Sequence, residues 1–382
     1  MITAYLAQLA GLFQNVFFIL LGFLGIGFLI GFHELGHFIF AKLFNVRVPS
    51  FSLGFGPRLI SKKIGETEFC ISALPFGGYV EIAGSAEIGQ GEQKDALATD
   101  ERSFAVKPLY QKLGIMFGGI FFNLIFAYAA MILLFFTGIP KTPFIPNTII
   151  SVVQADSAAQ KGALKPGDRI ISINNENVEN NVQKLQQTVE PLALKEVSIV
   201  IDRGGEIITK SIIIGVKNGE PGQTGTLGVE VDFTPTPAHS FKDAVIEGIK
   251  ACNSWIKKTI QGFSQLFSRK GLGKVGGPLM IISMTVKSAA IGWQIYLLLL
   301  AIISINLAVL NLIPLPILDG GQIAFYTVEA IIRRPIPHKV REYIFIATWI
   351  MFMILFVYLT AQDIMRIASP YIAPILKVFG IA

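Results

Sequence analysis

The sequence predicts a polytopic α-helical membrane protein with four transmembrane helices, a β-hairpin on the cytoplasmic side and one extracytoplasmic α/β domain. Three observations predict this fold class. The first is composition: 52% of the 382 residues are hydrophobic and only 15% are charged, a balance typical of membrane proteins. The second is a set of four long uncharged stretches, and the third is a series of short β-rich segments between the second and third stretch.

The uncharged stretches define the predicted spans. Each lacks Asp, Glu, Lys, Arg and His over at least the roughly 20 residues that a helix needs to cross about 30 Å of hydrocarbon. The stretches are residues 1–32, 113–140, 288–318 and 343–362. They predict membrane-spanning helices over about residues 12–40, 113–139, 290–318 and 343–362. No basic segment precedes the first apolar run and no small-residue cleavage pattern follows it, so we expect the first span to be retained.

Lysine and arginine in the short loops predict the orientation of the spans. The segment 42–112 carries nine of them and the segment 320–341 carries four, whereas residues 1–10 carry none. Because positively charged loops stay on the cytoplasmic side, we expect both termini and the central region to lie outside the cytoplasm. The net charge of +6 then reflects this bias and some attraction to anionic membrane lipid, and no basic, aromatic-rich patch indicates a nucleic-acid partner.

In this topology Cys70 and Cys252 lie on opposite sides of the membrane. We therefore expect no disulfide between them. Nothing in the sequence indicates a stable oligomer, and we expect a monomer.

Residues 146–235 predict one small domain between the second and third spans. Short β-rich runs alternate there with Gly, Asn and Pro, and about ninety residues suffice for a domain. The runs are "TIISVV", "DRIISIN", "VSIVID" and "IITKSIII", and one stretch, "NVQKLQQTVEPLAL", is helical in pattern.

The remaining segments complete the predicted membrane domain. Residues 66–82 alternate in polarity, with Pro75 and Gly77-Gly78 as the turn between two strand-like halves, and so predict a β-hairpin. The hairpin belongs to the first half of the membrane domain, residues 1–140. Residues 240–287 predict a linker with interfacial helices, and residues 288–382 form the second half.

The stretch "LIGFHELGHFIF", residues 29–40, carries three ionisable side chains into the end of the first span. In a helix, His33 and His37 project from one face one turn apart, the spacing that two imidazoles need to reach one metal ion. Glu34 lies on a neighbouring face, where it can act on a water molecule at the metal. His-Glu-x-x-His is the signature of a catalytic zinc site, in which three protein ligands leave a fourth position for water. The alternatives are polar residues paired in a helix bundle without metal, or a motif at the membrane interface.

A third zinc ligand has to come from elsewhere in the chain. The metzincin spacing is absent, because Phe40 and Leu43 stand where it requires glycine and histidine. Asp319, in "NLIPLPILDGG", ends the third uncharged stretch. The first and third spans run in the same direction, so His33 and Asp319 approach the same membrane face at comparable depth. An aspartate at a helix end can also be an ordinary interfacial charge.

Several longer motifs resemble those of one protein family. These are "GFHELGHFIFAKLF", "GFGP", "PFGGYV", "RSFAVKPLYQK", "GGIFFN", "GGPLMI" and "SINLAVLNLIPLPILDGG". Together they resemble the site-2 protease family of intramembrane zinc metalloproteases, and most closely its bacterial regulator-of-sigma-E protease branch. The resemblance implies a zinc metalloendopeptidase with Zn2+ bound by His33, His37 and Asp319 and with Glu34 as the catalytic base. It also implies a multi-pass protein of the cell inner (cytoplasmic) membrane.

The resemblance further implies the substrates. They would be single-span membrane proteins, such as anti-sigma factors or signal-peptide remnants, cleaved after a first trimming cleavage in transmembrane signalling. Asn306 and Asn311 match family asparagines associated with the substrate backbone. Gly77, Gly78 and Tyr79 match a membrane-reentrant β element against which the substrate extends.

The small domain resembles a second family. The run "SAAQKGALKPGDRIISINNENV" is similar to PDZ domains, which bind extended peptides by strand addition at a sheet edge. "GTLGVEV", residues 225–231, is the candidate for the loop that holds the peptide carboxylate. By this resemblance the domain would filter substrates outside the cytoplasm. A β-rich spacer without a ligand is the alternative.

The sequence departs from the protease family at a few positions. Only one PDZ-like domain is present where some relatives carry two, "GGIFFN" has no proline after its glycines, and Gln322 stands where relatives often have histidine. The alternative function is a non-catalytic membrane scaffold or a metal transporter with a peptide-binding PDZ domain. A scaffold would not need Glu34. A transporter would place polar groups along several spans, but the second and fourth hold little beyond Asn123, Thr137, Thr348 and Thr360.

Overall fold

The computed structural model describes residues 2–85, 99–140, 148–179, 182–216, 224–231, 235–266 and 276–378. The chain divides into two compact units. The first comprises Met1–Phe136 and Ser240–Ala382, and the second comprises Thr137–His239. The candidate site lies in the first unit.

The helices and strands of the described residues are numbered in chain order. The helices are α1 (Ile2–Leu43), α2 (Leu109–Thr137), α3 (Ala158–Lys161), α4 (Val182–Val189), α5 (Phe241–Leu266), α6 (Pro278–Ile291), α7 (Trp293–Asn311), α8 (Asp319–Ile332) and α9 (His338–Val378). The strands are β1 (Ser50–Ile64), β2 (Thr67–Glu81), β3 (Ile150–Val153), β4 (Arg169–Ile173), β5 (Glu176–Asn177), β6 (Glu196–Arg203), β7 (Glu206–Ile213), β8 (Gly215–Val216), β9 (Gly225–Thr226) and β10 (Val229–Val231).

Parts of α1, α2, α7 and α9 are long and apolar enough to cross a membrane. These parts are Val16–Leu43, Leu109–Thr137, Trp293–Asn311 and Lys339–Arg366. The part of the chain that the structure describes thus contains four helices at the places where the sequence predicts spans, and their length and composition are those of a membrane protein.

The third span is shorter than the sequence predicts. A single helix over 290–318 is wrong at both ends, because α6 continues to Ile291 and α7 ends at Asn311. Gly292, at φ +154°, separates α6 from α7. After Asn311, Pro314 and Pro316 provide no backbone N–H and restrict the residues before them, so the helix cannot continue.

The chain then turns back and begins a helix that the sequence did not predict. Two short backbone hydrogen bonds fold the connection between α7 and α8: Leu315 N–H donates to Ile313 O (2.7 Å), and Leu318 N–H donates to Leu315 O (2.8 Å). A β-carbon on Gly321 would lie 2.1 Å from Leu315 O, so only glycine lets the first turn of α8 pack this closely on the connection. This packing fixes Asp319 as the first residue of α8.

The predicted hairpin over 66–82 is corrected by the structure. The hairpin turn lies at Gly65 and Glu66, and β1 and β2 flank it. The two halves expected to pair with each other instead flank β1 residues 50–53: residues 68–71 lie on one side and residues 78–81 on the other. Gly77, at φ +103°, bends β2 between its halves rather than reversing the chain. Residues 78–81 therefore form an edge of this sheet among the described residues.

The turn of this hairpin is tied to the end of α1. Arg102 and Lys42 both donate to the carboxylate of Glu66, and these hydrogen bonds lower the pKa of Glu66 to about 2. Glu66 is therefore an ion-pair partner at the hairpin turn. Below the turn, Val48, Phe51 and Val80 of the sheet region pack with Ala41 of α1 and Ile115 of α2 in one buried cluster.

Two helices occupy the predicted linker 240–287. The first is α5, and the second is α6, which is too short to span a membrane. Asp363 of α9 is buried and accepts hydrogen bonds from the backbone N–H groups of Gly277 (3.0 Å) and Met280 (2.9 Å). A carboxylate at these positions satisfies the free donors at the start of α6 and so anchors this helix to α9.

The second unit contains the predicted strands and helix. β4 to β7 form one sheet in the order β5-β4-β6-β7, and two smaller pairs are β10-β3 and β8-β9. Along β6, Val197, Ile199 and Ile201 alternate inward and are buried, as a half-buried strand requires. The unit is longer than the predicted 146–235, because paired hydrogen bonds between Ile139 and Thr236 (2.9 and 2.8 Å) join its two ends.

An ion pair between buried Asp168 and partly exposed Arg203 organises the turn "LKPGD" in this unit. Asp168 is buried and accepts hydrogen bonds from Arg203 (2.7 and 2.8 Å) and from Lys165 N–H (2.8 Å). Burial by itself would raise the pKa of Asp168, but these donors hold the pKa below its ordinary value. The PDZ-like character of the unit stays a prediction.

Candidate metal centre

The two histidines of the motif meet on one face of α1. The helix continues unbroken through the motif to Leu43, so His33 and His37 lie one turn apart. Both side chains are buried, and their Nε2 atoms are 3.2 Å apart. Two imidazole nitrogens this close together can both contact the same bound partner.

Helix α2 packs directly on this face through glycines. A β-carbon on Gly36 would lie 2.2 Å from Gly118 O, and one on Gly118 would lie 2.7 Å from Gly36 O. A β-carbon would also come too close at the histidines, because on Gly119 it would lie 2.5 Å from both His33 Cε1 and His37 Nε2. The glycine pair of "GGIFFN" thus lets the two backbones touch and leaves room for both rings.

Helix α2 also supplies polar partners for the far sides of the rings. His37 Nδ1 lies 2.8 Å from the carbonyl oxygen of Ile115, which can only accept, so Nδ1 carries the proton. The Nε2 atom of His37 then has a free lone pair. His33 Nδ1 lies 3.1 Å from the side-chain amide of Asn123, which is fully buried.

Asp319 completes the cluster from the second half of the chain. Its Oδ2 is 3.2 Å from His33 Nε2, and its Oδ1 is 3.5 Å from His37 Nε2. One ligand atom from each of the three residues lies within 4.8 Å of the others. The structure therefore brings His33, His37 and Asp319 together.

The donor set fits zinc. Nitrogen and oxygen ligands at about 2.0–2.2 Å from a tetrahedral ion lie roughly 3.3–3.6 Å from one another, close to the separations of 3.2 to 3.5 Å here. The buried Oδ2 of Asp319 lies 3.2 Å from His33 Nε2, and no other group of the described residues satisfies it. Two imidazoles and one carboxylate also leave one tetrahedral position open, as catalytic zinc sites do.

Glu34 faces the same cavity. The cavity measures about 380 Å³ and is lined by all four residues of the predicted centre, His33, Glu34, His37 and Asp319. The backbone N–H of Val80, in the edge segment 78–81, donates to the Glu34 carboxylate. The edge segment therefore holds Glu34 beside the three ligand residues.

The predicted substrate-binding residues divide into two groups. Asn311, Gly77 and Gly78 line the cavity, and Asn311 Nδ2 lies 3.3 Å from His33 Nε2. Asn306 and Tyr79 do not line it. Asn306 instead accepts a hydrogen bond from Thr259 of α5 (2.8 Å), and Tyr79 stacks on Phe55 with its hydroxyl 3.5 Å from Arg58.

Sequence reasoning assigned no role to Ile115, Gly119 and Asn123. The signal that could have found them is their spacing of four residues, which places them on one face of α2. Asn123 was also the only Asn, Gln or charged side chain within the 113–140 stretch.

Comparison with known proteins gives a consistent result. The family model described as Peptidase family M50 matches residues 21–356, a range that includes all the residues of the candidate centre. A protein of Campylobacter jejuni, named a putative zinc metalloprotease, is 35% identical over 353 residues that cover 90% of this chain and 92% of that protein.

Two further relatives carry the same kind of name. One from Clostridium perfringens is 31% identical over 355 residues, covering 91% of this chain and 98% of that protein. One from Fusobacterium nucleatum is 31% identical over 316 residues, covering 80% of this chain and 86% of that protein. Because the family match spans most of a chain whose helices are long and apolar enough to cross a membrane, the chain belongs to peptidase family M50, the site-2 protease family, and is a zinc-dependent metalloendopeptidase.

Proposed function

We propose that this metalloendopeptidase cleaves single-span membrane proteins within the membrane, after a first trimming cleavage, as a step in transmembrane signalling. The observation that carries this proposal is the position of the metal-binding cluster. His33 and His37 lie inside the apolar stretch Val16–Leu43, and Asp319 joins them just beyond the end of α7. Placing an ionisable residue at membrane depth costs free energy, and such residues usually mark a functional site. The peptide bonds that reach this site therefore belong to membrane segments.

The residues of the cluster have distinct tasks. His33, His37 and Asp319 would hold the zinc ion. Bound zinc supplies a Lewis acid that activates water and polarises a peptide carbonyl. Glu34 would take the proton from the attacking water and pass it to the leaving amine, and the hydrogen bond from Val80 N–H keeps its carboxylate in place for both transfers.

The sheet edge beside Glu34 would bind the substrate backbone. A transmembrane helix hides its carbonyls in its own hydrogen bonds, so it has to unwind before cleavage, and unpaired backbone groups in lipid cost several kcal/mol each. Residues 78–81 pair on one side with residues 50–53, and the cavity lies against Gly78 and Val80. An unwound segment can pair with this edge in the cavity.

Asn311 would contribute at the same place. Its amide lies in the cavity next to His33, so it can donate to the carbonyl oxygen as negative charge develops there. The direct contact with Thr259 supports a different role for Asn306, which is to dock α5 on α7.

The second unit would act as a PDZ-like filter that binds a peptide outside the cytoplasm. Two features support this role. The predicted carboxylate loop, residues 225–231, contains β9, β10 and the two-residue connection between them, where Gly228 adopts φ +68°. Among the described residues β10 pairs only with β3, so its other edge is available for strand addition.

The location we propose is the cell inner (cytoplasmic) membrane. The distribution of lysine and arginine supports a topology with both termini and the second unit outside the cytoplasm and with the β1-β2 sheet on the cytoplasmic side. We propose that the protein acts as a monomer with membrane lipid around its spans.

Replacing the proposed base tests this function. The full-length protein is purified in detergent, its zinc content is measured, and cleavage of a single-span substrate is followed for wild type and Glu34→Gln. We expect Glu34→Gln to retain zinc and to cleave about 10²- to 10⁴-fold more slowly, because glutamine cannot accept the proton.

Glu247→Gln is the matched control, since Glu247 is an exposed residue of α5 that pairs with Lys250 on its own helix. It should cleave at the wild-type rate. Wild-type cleavage by Glu34→Gln would contradict the proposed mechanism. A wild-type protein that binds zinc but cleaves only soluble peptides would contradict the proposed substrate class.

A further inference from the structure

We infer that Asn123 is a positioning residue for the metal centre: its side-chain oxygen accepts the Nδ1 proton of His33 and so leaves His33 Nε2 free to bind zinc. This inference rests on the proposed role of His33 as a ligand. It assigns a role to the polar residue that the sequence places in the middle of the second span.

The first support is the way α2 meets the two histidines. Ile115, Gly119 and Asn123 lie on one face of α2 at intervals of four residues. Ile115 O lies against His37 Nδ1, Gly119 leaves space for both rings, and Asn123 lies against His33 Nδ1. One stripe of α2 therefore contacts the Nδ1 side of each ring and leaves both Nε2 atoms facing Asp319.

The second support is the hydrogen bonding of the Asn123 amide. With Nδ2 towards His33, the Oδ1 atom is buried and has no hydrogen-bond partner among the residues that the structure describes. The oxygen and nitrogen of an amide exchange places by a half-turn of the group, and the hydrogen-bond network decides between the two orientations. With the oxygen towards His33 Nδ1, the amide still makes one hydrogen bond to the ring, now as the acceptor, and the imidazole adopts the tautomer that a metal ligand requires.

The third support is the rigidity of the position. Asn123 is fully buried, and its backbone carbonyl accepts a hydrogen bond from the hydroxyl of Ser304 on α7 (2.9 Å). Ser304 is also fully buried. Asn123 is thus held both by its own helix and by the helix that carries Asn311, so its amide meets His33 at a fixed distance.

Two substitutions at this position separate the acceptor role from general packing. Asn123→Asp keeps an oxygen acceptor of the same size but has no amide donor. Asn123→Leu is similar in size and has neither. We expect Asn123→Leu to weaken zinc binding about 10- to 100-fold and Asn123→Asp to bind within a few-fold of wild type, because an outer partner of a histidine ligand acts through its acceptor.

Zinc affinity is measured on the purified full-length protein by competition with a chelator. Thr348→Val is the control, since the Thr348 hydroxyl donates to the carbonyl oxygen of Ile344 on its own helix and its loss should leave zinc affinity unchanged. The second readout is the side-chain nitrogen spectrum of 15N-histidine-labelled, zinc-free protein, which contains only four histidines. We expect His33 to show the Nδ1-protonated tautomer in wild type and Asn123→Asp and a mixture of tautomers in Asn123→Leu.

The outcomes are distinct. Wild-type zinc affinity in Asn123→Leu, or equal losses in Asn123→Asp and Asn123→Leu, would overturn the inference. So would an Nε2-protonated His33 in the wild-type protein, a result that needs no variant to fold. A protein that binds zinc with these dependences yet cleaves no membrane substrate would leave the inference standing and overturn the proposed function.

Discussion

At the residue scale, α2 approaches the histidines closely because three residues at this interface are glycines and have no side chain. Gly36, Gly118 and Gly119 have no β-carbon at the point where one would touch the opposite backbone or an imidazole ring. The histidines therefore lie between two helices that cannot move apart without losing the contacts of Ile115 and Asn123. The packing of α1 on α2 therefore also fixes the orientation of the two imidazole rings.

A single methyl group at Gly119 tests this arrangement. Its β-carbon would lie 2.5 Å from His37 Nε2, so Gly119→Ala has to displace a ring or a helix. We expect Gly119→Ala to destabilise the protein by about 1–3 kcal/mol, as overpacking of a core does, and to weaken zinc binding. Thermal unfolding and chelator competition measure the two effects.

The matched control is Gly262→Ala on α5, where an added β-carbon would meet nothing within 4 Å. There we expect unchanged zinc affinity and unchanged or slightly higher stability, since alanine favours a helix by up to about 1 kcal/mol over glycine. Equal zinc affinity in Gly119→Ala and Gly262→Ala would show that the close approach at Gly119 has no bearing on the site.

Residues of the site differ in how far the sequence could predict them. The roles of His33, Glu34 and His37 could be predicted from their spacing in one helix, which does not depend on how the remaining chain folds. Asp319 required the additional argument that two spans run in the same direction. Asn123 was not assigned, because its four-residue spacing from Gly119 and Ile115 points to a role only once the helix across the interface is known.

At the element scale, the polar contacts of α5 with the spanning helices include two hydrogen bonds between side chains. Thr259 donates to Asn306 of α7, and Tyr128 of α2 donates to Asn253 of α5 (2.5 Å). Asn306 therefore faces α5 rather than the metal. A role in docking predicts that Asn306 and Thr259 act as a pair.

A double-mutant cycle of Thr259→Val and Asn306→Leu tests that role. Each change removes the same hydrogen bond, so we expect the two losses of unfolding free energy to be non-additive, with a coupling of about 0.5–1.5 kcal/mol. Cleavage should fall by a similar factor in each single variant. If only Asn306→Leu lowers cleavage and the free energies add, Asn306 acts on the substrate instead.

Elements whose partners are local in sequence were predicted better than those whose partners are distant. The four spans and the strands of the second unit follow from continuous apolar runs and from alternation. The sequence did not predict that residues 50–53 pair with residues 68–71 on one side and with residues 78–81 on the other. In the pairing of 50–53 with 68–71 the residue numbers of both segments rise together, and no hairpin turn indicates such a pairing. Helix α8 was missed because residues 320–341 were interpreted only as a short cytoplasmic loop, on the basis of their four Lys and Arg residues.

At the scale of the whole molecule, the centre is assembled from both halves of the membrane unit. The first half supplies His33, Glu34 and His37 on α1, together with the helix and the sheet edge that orient them. The second half supplies Asp319, which the break after α7 and the turn before α8 carry to the histidines. Neither half supplies all three proposed ligands, so we expect zinc binding to require both halves in the folded protein.

Zinc content most directly tests the claim that these residues form one metal centre. Purified wild-type protein and Asp319→Ala are compared by elemental analysis after dialysis against a weak chelator, with Asp243→Ala, an exposed carboxylate of α5, as the control. We expect one zinc ion per chain in wild type and Asp243→Ala and almost none in Asp319→Ala, because two histidines alone hold zinc weakly. One tightly bound zinc ion per chain in Asp319→Ala would contradict it.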